Sequence, residues 1–199
     1  MSALFPEFFE CNDYLIDEKV TFLQFENEYK IYNDLGVQIG AIKQSLNAWH
    51  KVLRMLLNKA MLPFILELKD SNGELLVSVE RGWTFWMSKI KITNSNHEEV
   101  GYIKQKFTFL KPRFKILDAS ENLIGEITGD WKAWNFTITD ASGNEIGNIT
   151  KKWAGAMKEL FTSADKYYVQ INPSFSEDQH KINIVATAIT IDMVLKESK

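Results

Sequence analysis

The chain has 199 residues, of which 45% are hydrophobic and 25% charged, as in globular and not in disordered proteins. Its net charge of −3 argues against general nucleic-acid binding, which usually depends on a strongly basic domain. The single cysteine, Cys11, excludes an intramolecular disulfide and a cysteine metal cluster, so we assign it to packing in a reducing compartment. The N-terminal residues contain neither a basic region nor a long apolar run, which indicates a cytoplasmic protein without a signal peptide.

A hairpin pattern begins near Val20 and occurs five times along the chain. Each copy has an alternating strand, a turn of Asp, Asn, Ser and Gly, and a second strand. Asp70, Asn94, Asp118 and Asp140 mark four turns at spacings of 24, 24 and 22 residues, and Asp34 lies 36 residues before Asp70. A strand Gly two residues before an Ile recurs in four copies, which predicts bulges or bends in a curved sheet. These glycines are Gly40, Gly101, Gly125 and Gly147.

The number of strands predicts the fold class. Five hairpins, a strand around Thr21–Phe25 and another at Tyr167–Ile171 give about 12 antiparallel strands. Such a regular series indicates a mainly β fold, either a closed barrel or a sandwich, because closure removes exposed strand edges. Apolar residues at helical spacing predict one short inserted helix over about 46–61, which ends before Pro63.

The apolar stretch from Ile182 to Leu195 contains no Gly or Pro and one charge, Asp192. Its β-branched residues would also fit a strand, and its apolar character would fit a membrane anchor. As a helix it would be about 21 Å long, which is short of the roughly 20 apolar residues of a membrane span. A barrel of about 12 strands is too wide for its own side chains to fill, and a helix leaves no backbone groups unpaired.

We therefore predict a closed antiparallel β-barrel, built from repeated hairpins, that encloses a hydrophobic C-terminal helix over about 181–196. The whole chain, 1–199, forms a single domain in this interpretation. The helix acts as a structural plug, in which we place Ile184, Ala188, Ile191 and Asp192.

The sequence resembles a known family. The repeated hairpins, the segment KKWAGAMKELFTSADKYYVQI over 151–171, and the terminal apolar run with its acid resemble the phospholipid scramblase and LURP-one-related family. That family is similar in fold to the tubby C-terminal domain, a barrel of 12 strands around a central C-terminal helix. Only one cysteine is present where animal scramblases carry a palmitoylated cluster, so the resemblance does not extend to that lipid anchor.

The resemblance also implies a metal site to consider. Asp165 matches an Asp of a segment proposed to bind calcium in scramblases, but Ser163 and Lys166 stand beside it. Calcium takes six to eight oxygen ligands, often from several carboxylates. Asp165 is therefore either a weak calcium candidate or a cap of the loop before a strand. The three His residues have no paired spacing, and no phosphate loop or nucleophile elbow occurs, so we expect no enzyme and no cofactor.

Basic residues alternate with aromatic ones in one predicted hairpin. Five cations so close together can attract a phosphate-bearing headgroup, since each contributes about 1 kcal/mol near an anionic membrane. Tubby domains bind phosphoinositides through surface basic residues, which is what the resemblance implies here. The alternative is an ordinary solvated face of a half-buried hairpin. The candidate residues are Lys104, Lys106, Lys111, Arg113 and Lys115.

The inserted helix is a second candidate, for a membrane interface or a protein partner. Its candidate residues are Trp49, Lys51, Leu53 and Arg54. The alternative is a helix packed on the end of the barrel. Taken together, we expect a binding or adaptor protein that recognises anionic phospholipid headgroups or a membrane surface peripherally. A regulatory or scaffold protein that binds a protein partner is the alternative, with lipid scrambling after it, and the sequence does not indicate an oligomeric state.

Overall fold

The computed structural model describes residues 6–19, 28–45, 62–83, 89–106, 112–130, 132–151, 166–175 and 178–196. Within these ranges, twelve strands form one closed antiparallel barrel in which each strand pairs with its neighbours in the chain and β1 pairs with β12. A 3-10 turn over Glu7–Glu10 precedes the barrel, and the helix α1, Gln179–Lys196, follows it. The strands are β1 Asp13–Lys19, β2 Glu28–Tyr32, β3 Gln38–Ser45, β4 Phe64–Asp70, β5 Leu75–Arg81, β6 Lys89–Asn94, β7 Glu99–Lys106, β8 Arg113–Asp118, β9 Leu123–Asp130, β10 Asn135–Asp140, β11 Glu145–Thr150 and β12 Lys166–Ile171.

The closed barrel and its C-terminal helix, both predicted from the hairpin count, are confirmed. Strand β1 was not among the predicted strands, and its signal was a short apolar run, the buried residues Tyr14, Leu15 and Ile16, between Asp13 and Asp17. The predicted strand at Thr21–Phe25 and the predicted inserted helix at 46–61 lie outside the described residues.

The five hairpin turns share one geometry. In the β4–β5 turn, a carboxylate oxygen of Asp70 accepts hydrogen bonds from the amides of Asn72 and Glu74, both at 2.9 Å. Three residues after Asp70, Gly73 has a φ of +86°, as expected for a type I turn that ends in a left-handed residue. Asn94, Asp118 and Asp140 hold the equivalent position in their turns. These side chains hold the turn backbone, which explains their regular spacing.

The hairpin spacing predicts Asp34 as the turn residue of the β2–β3 hairpin. In the structure the capping side chain is that of its neighbour, Asn33. Asn33 Oδ1 accepts from the amides of Leu35 at 3.1 Å and Val37 at 2.9 Å. Gly36, at a φ of +74°, follows Asn33 by three residues, as Gly73 follows Asp70. Two adjacent residues could both cap, and only the position of the left-handed glycine distinguishes them.

Strand glycines bring the wall close to α1. Each of the five hairpins has a register shift near its turn, in four of them beside a recurring glycine as predicted, and in β4–β5 without one. At Gly101 on β7, an added Cβ would lie 2.5 Å from the Leu117 carbonyl oxygen and 2.7 Å from Nδ2 of Asn183 on α1. At Gly125 the nearest helix atom is a methyl carbon of Ile184. The missing side chains therefore make room for the first turns of the helix.

The helix α1 fills the interior of the barrel. Every residue from Lys181 to Leu195 is buried, and the helix contacts strands on several sides of the wall. Ile184, Ala188 and Ile191 join the inward-facing strand residues in one core. A helix that is apolar all round requires such an enclosure.

Several polar side chains of α1 form hydrogen bonds inside this core, whereas Oδ1 of Asn183 is buried without a hydrogen-bond partner among the described residues. The hydroxyls of Thr187 and Thr190 donate to the carbonyls four residues earlier in the helix, each at 2.7 Å. The Tyr29 hydroxyl donates to Asp192 at 2.9 Å, and Asn183 Nδ2 donates to the Val100 carbonyl at 2.8 Å. The bonds of Asp192 and Asn183 join the two halves of the helix to the wall.

Candidate anion-binding surface

Three lysines form a row across the outer face of β6, β7 and β8. Lys89 lies directly opposite Lys104, and Lys104 directly opposite Lys115. Like charges in opposite positions of an antiparallel sheet repel and destabilise it. We call these three residues the lysine row. The repulsion between their charges has to be compensated by acidic groups of the protein or by an external anion.

Further cations extend the lysine row on the same face. Lys91 follows Lys89 by two residues on β6, and Arg113 precedes Lys115 by two residues on β8. Lys106 lies opposite Arg113 in the strand pairing, but its side chain is outside the described part of the chain, as is the whole of Lys111. Of the five candidate residues, the structure places Lys104, Arg113 and Lys115 on one face.

Glutamates that the sequence interpretation missed accompany these cations. Glu121, in the β8–β9 turn, lies 2.5 Å from Lys89 Nζ and 2.6 Å from Lys104 Nζ. Glu126, on β9, lies 3.3 Å from Lys115 Nζ and 3.6 Å from Arg113 Nε. The surface is therefore a set of bridged charges, in which each glutamate serves two cations.

The Glu121 bridge is ionised and open to solvent. Hydrogen bonds from Lys104 and Lys89, together with their positive charges, lower the pKa of Glu121 to about 2. The Glu121 side chain is nevertheless 46% exposed, so water and salt screen both ion pairs. The Glu121 carboxylate therefore compensates part of the positive charge of the lysine row. Its ion pairs can separate without any change in the core.

Tyr102 positions one end of the row. Lys89 Nζ lies 3.6 Å from the centre of the Tyr102 ring, and the Tyr102 hydroxyl donates to Glu99. The hydrogen bond to Glu99 raises the pKa of Tyr102. Lys91 Nζ lies 3.7 Å from both Glu80 and Glu99. The aromatic face thus holds Lys89 beside Glu121, whereas Lys91 pairs with Glu80 and Glu99.

A cleft of about 510 Å³ lies at the barrel end that carries the hairpin turns, between the 3-10 turn and the first two hairpin turns. Glu7, Asp70 and Glu74 line it. Beside it, the side chains of Leu35 and Val37 are 78% and 56% exposed. Both residues belong to the β2–β3 turn. At the position of Leu35 the other four hairpin turns have Asn or Ser, and at the position of Val37 they have Glu or Asn.

Other predicted site residues fall outside the described ranges, namely Trp49, Lys51, Leu53, Arg54 and the calcium candidate Asp165. Among the described residues, no three His, Cys, Asp or Glu side chains lie close enough together to hold a metal ion. The described helices include none with the length and apolar character of a membrane span. Cys11 is partly buried in the core, and burial, with the nearby acids Asp34, Glu7 and Glu10, raises its pKa.

The sequence model of one family, described as Scramblase, matches residues 16–198. The chain belongs to the scramblase family. This family is membrane-associated and has a lipid-related function. Neither the family nor the barrel fold is typical of enzymes. The resemblance seen in the sequence is therefore confirmed, and the 12-stranded barrel is consistent with the tubby-like fold.

The fold of this scramblase-family chain also occurs in a solved structure. An X-ray structure of a protein from Arabidopsis thaliana is similar to it with a TM-score of 0.56 and 8% sequence identity, over 98% of this chain and 99% of that one. At this identity the likeness shows the fold alone. No curated protein sequence matches the chain.

Proposed function

We propose that this scramblase-family protein is a non-enzymatic binding protein that recognises anionic phospholipid headgroups at a membrane surface. The binding surface is the outer face of β6–β8. The observation that carries the proposal is the lysine row, in which Lys89, Lys104 and Lys115 occupy directly opposite positions on adjacent strands. Membership of the scramblase family, whose function is lipid-related, supports a lipid as the ligand.

The charges set the strength of this binding. Each lysine near an anionic membrane contributes about 1 kcal/mol, and several cations on one wall can act together. Glu121 and Glu126 reduce this attraction, so the binding is moderate and depends strongly on salt. The wide barrel of the described chain is filled by α1, which leaves no polar path along its axis and favours recognition over lipid transport.

Vesicle co-sedimentation tests the proposal. The protein is mixed with phosphatidylcholine vesicles, with or without phosphatidylserine, at increasing NaCl. We expect binding only to the anionic vesicles, and a loss of about 10- to 100-fold in affinity when Lys104, Arg113 and Lys115 are all replaced by Gln.

A matched control has the same change in net charge on another part of the barrel. It replaces Lys30, Lys43 and Lys69, on β2, β3 and β4, by Gln. If this variant loses as much affinity as the first, or if the wild-type protein shows no salt-dependent binding, the β6–β8 face is not a lipid-binding surface.

A second candidate function is binding of a protein partner at the cleft beside Leu35 and Val37. The observation that favours it is the exposure of these two apolar side chains beside acids, where the four equivalent turns are polar. This chemistry suits a basic segment with apolar residues. Fluorescence anisotropy with a labelled Lys/Leu peptide should show binding that is lost in a Leu35→Ser/Val37→Ser variant. Equal loss in Ile65→Ser, on the outer face of β4, would argue against the cleft.

A further inference from the structure

Glu121 has a backbone conformation that its side chain disfavours. Its φ is +65°, in the left-handed region. Three of the other four hairpin turns have a glycine at this position, namely Gly36, Gly73 and Gly143. For a residue with a Cβ this conformation costs about 1–2 kcal/mol. The fourth turn has His97 at this position with a φ of +63°, so a side chain is tolerated there, but the turn itself gives no reason for a glutamate.

The turn does not need the carboxylate of Glu121. Asp118 and Asn122 form the local hydrogen bonds, from the Asn122 amide at 2.8 Å and from its side chain at 2.9 Å. A glycine at position 121 would leave these bonds in place. The Glu121 carboxylate instead points to the lysine row, where it contacts Lys89 and Lys104 on two different strands.

We propose that Glu121 is a displaceable internal counterion that occupies a phosphate-binding site formed by Lys89 and Lys104. A phosphate monoester takes its place, carried either by a lipid headgroup or by a soluble molecule. The inference rests on the proposed function and adds to it the class of anion and the residue that competes with it.

The chemistry of the site favours exchange with phosphate. The single charge of Glu121 is shared between two ammonium groups, and each carboxylate oxygen serves one of them. A phosphate monoester carries about −1.5 to −2 charges at pH 7 and has three free oxygens, so it can neutralise both lysines fully. Lys115, directly opposite Lys104, lies beside the site as a further cation. Displacement needs no opening of the core, because Glu121 is half exposed on a turn.

Removing the internal counterion should strengthen phosphate binding. The variants are Glu121→Gln, which keeps the side-chain length, and Glu121→Gly, which also relieves the backbone. Glu145→Gln is the matched control, because Glu145 is an exposed acid at the start of β11, on another part of the wall. The ligands are glycerol 3-phosphate in calorimetry, and vesicles that contain either phosphatidic acid, a monoester, or phosphatidylglycerol, a diester.

We expect both Glu121 variants to bind the monoester about fivefold or more tightly than the wild type, and Glu145→Gln to change the affinity less than about twofold. A second substitution, Lys104→Gln, should remove the gain. A gain with glycerol 3-phosphate identifies the phosphate group itself as the ligand. A gain confined to phosphatidic acid vesicles supports the site and assigns it to a lipid headgroup.

Three results would overturn the inference. If Glu145→Gln increases the affinity for the phosphate monoester as much as Glu121→Gln does, the effect comes from net charge and not from a site. If the wild type binds anionic vesicles through Lys104, Arg113 and Lys115 and the Glu121 variants show no gain, the inference fails and the proposed function stands. If the wild type and all variants fail to bind vesicles and glycerol 3-phosphate, both fail.

Discussion

Replacing Gly101 by Ala tests how closely α1 must approach the barrel wall. The new Cβ would lie 2.5 Å from the Leu117 carbonyl oxygen and 2.7 Å from Nδ2 of Asn183, both shorter than the 3.0 Å that real Cβ atoms respect. The Leu117 oxygen belongs to the backbone of β8, which is paired with β7 next to this point. The Asn183 side chain could rotate away at the cost of its hydrogen bond to Val100, but the Leu117 oxygen cannot move without disturbing the strand ladder.

The expected cost follows from this overpacking. Forcing one extra carbon into a well-packed interior costs about 1–3 kcal/mol. In a chain of this length, 1 kcal/mol corresponds to about 2–4 °C in melting temperature. We therefore expect Gly101→Ala to lower the melting temperature by about 2–12 °C. Because Leu117 contributes the closer contact, adding Asn183→Ala should not restore the loss.

Calorimetry and urea denaturation measure the effect, with Gly82→Ala as the matched control. A Cβ at Gly82, just after β5, meets no atom within 4 Å, and its φ is not in the left-handed region. That substitution should be neutral or should stabilise the protein by up to about 1 kcal/mol. If Gly101→Ala is no more destabilising than Gly82→Ala, the close approach does not limit stability.

Three further predictions concern the core and the surface. Tyr29→Phe removes the buried hydrogen bond to Asp192 and should cost about 1–3 kcal/mol in urea denaturation, while an unchanged midpoint would contradict a role for this bond. Ile189→Ala, at a fully buried position of α1, should cost about 2–5 kcal/mol, and a cost below about 1 kcal/mol would mean that the helix is loosely packed. The pKa of Glu121 lies at about 2 in the folded protein, below its ordinary 4.5, so its pairing stabilises the fold above about pH 4.5 and is lost as the pH falls towards 2. Between pH 6 and pH 2 the melting temperature of Glu121→Gln should fall less than that of the wild type, and parallel curves would contradict the pairing.

Local signals in the sequence were sufficient to predict most of the barrel. Asp70 and Asp140 are recognisable because a capping side chain, a left-handed glycine and a register shift lie within a few residues of each other. The conformation of the last segment was ambiguous by propensity, and only the number of strands indicated a helix. The predicted helix, about 181–196, begins two residues after the observed start at Gln179.

The charge bridges could not be predicted in the same way. Glu121 and Lys89 are 32 residues apart, and their contact depends on how far neighbouring strands are displaced along the barrel. The spacing of hairpins in the sequence predicts which strands pair. It does not predict which residues of neighbouring strands a side chain in a turn will contact. The unexpected left-handed φ of Glu121 is a conformational signal that becomes visible only once the turns are aligned with one another.

The position of α1 after the twelve strands of the described barrel has a consequence for biosynthesis. A ribosome makes the wall of this barrel before it makes the segment that fills it. Until α1 emerges, the inward faces of the strands have no apolar partner, and β1 must wait for β12 to close the ring. Such a chain exposes apolar strands for most of its synthesis, which favours aggregation and binding by chaperones. We therefore expect folding to begin late, and a nascent chain stalled before α1 to remain sensitive to protease.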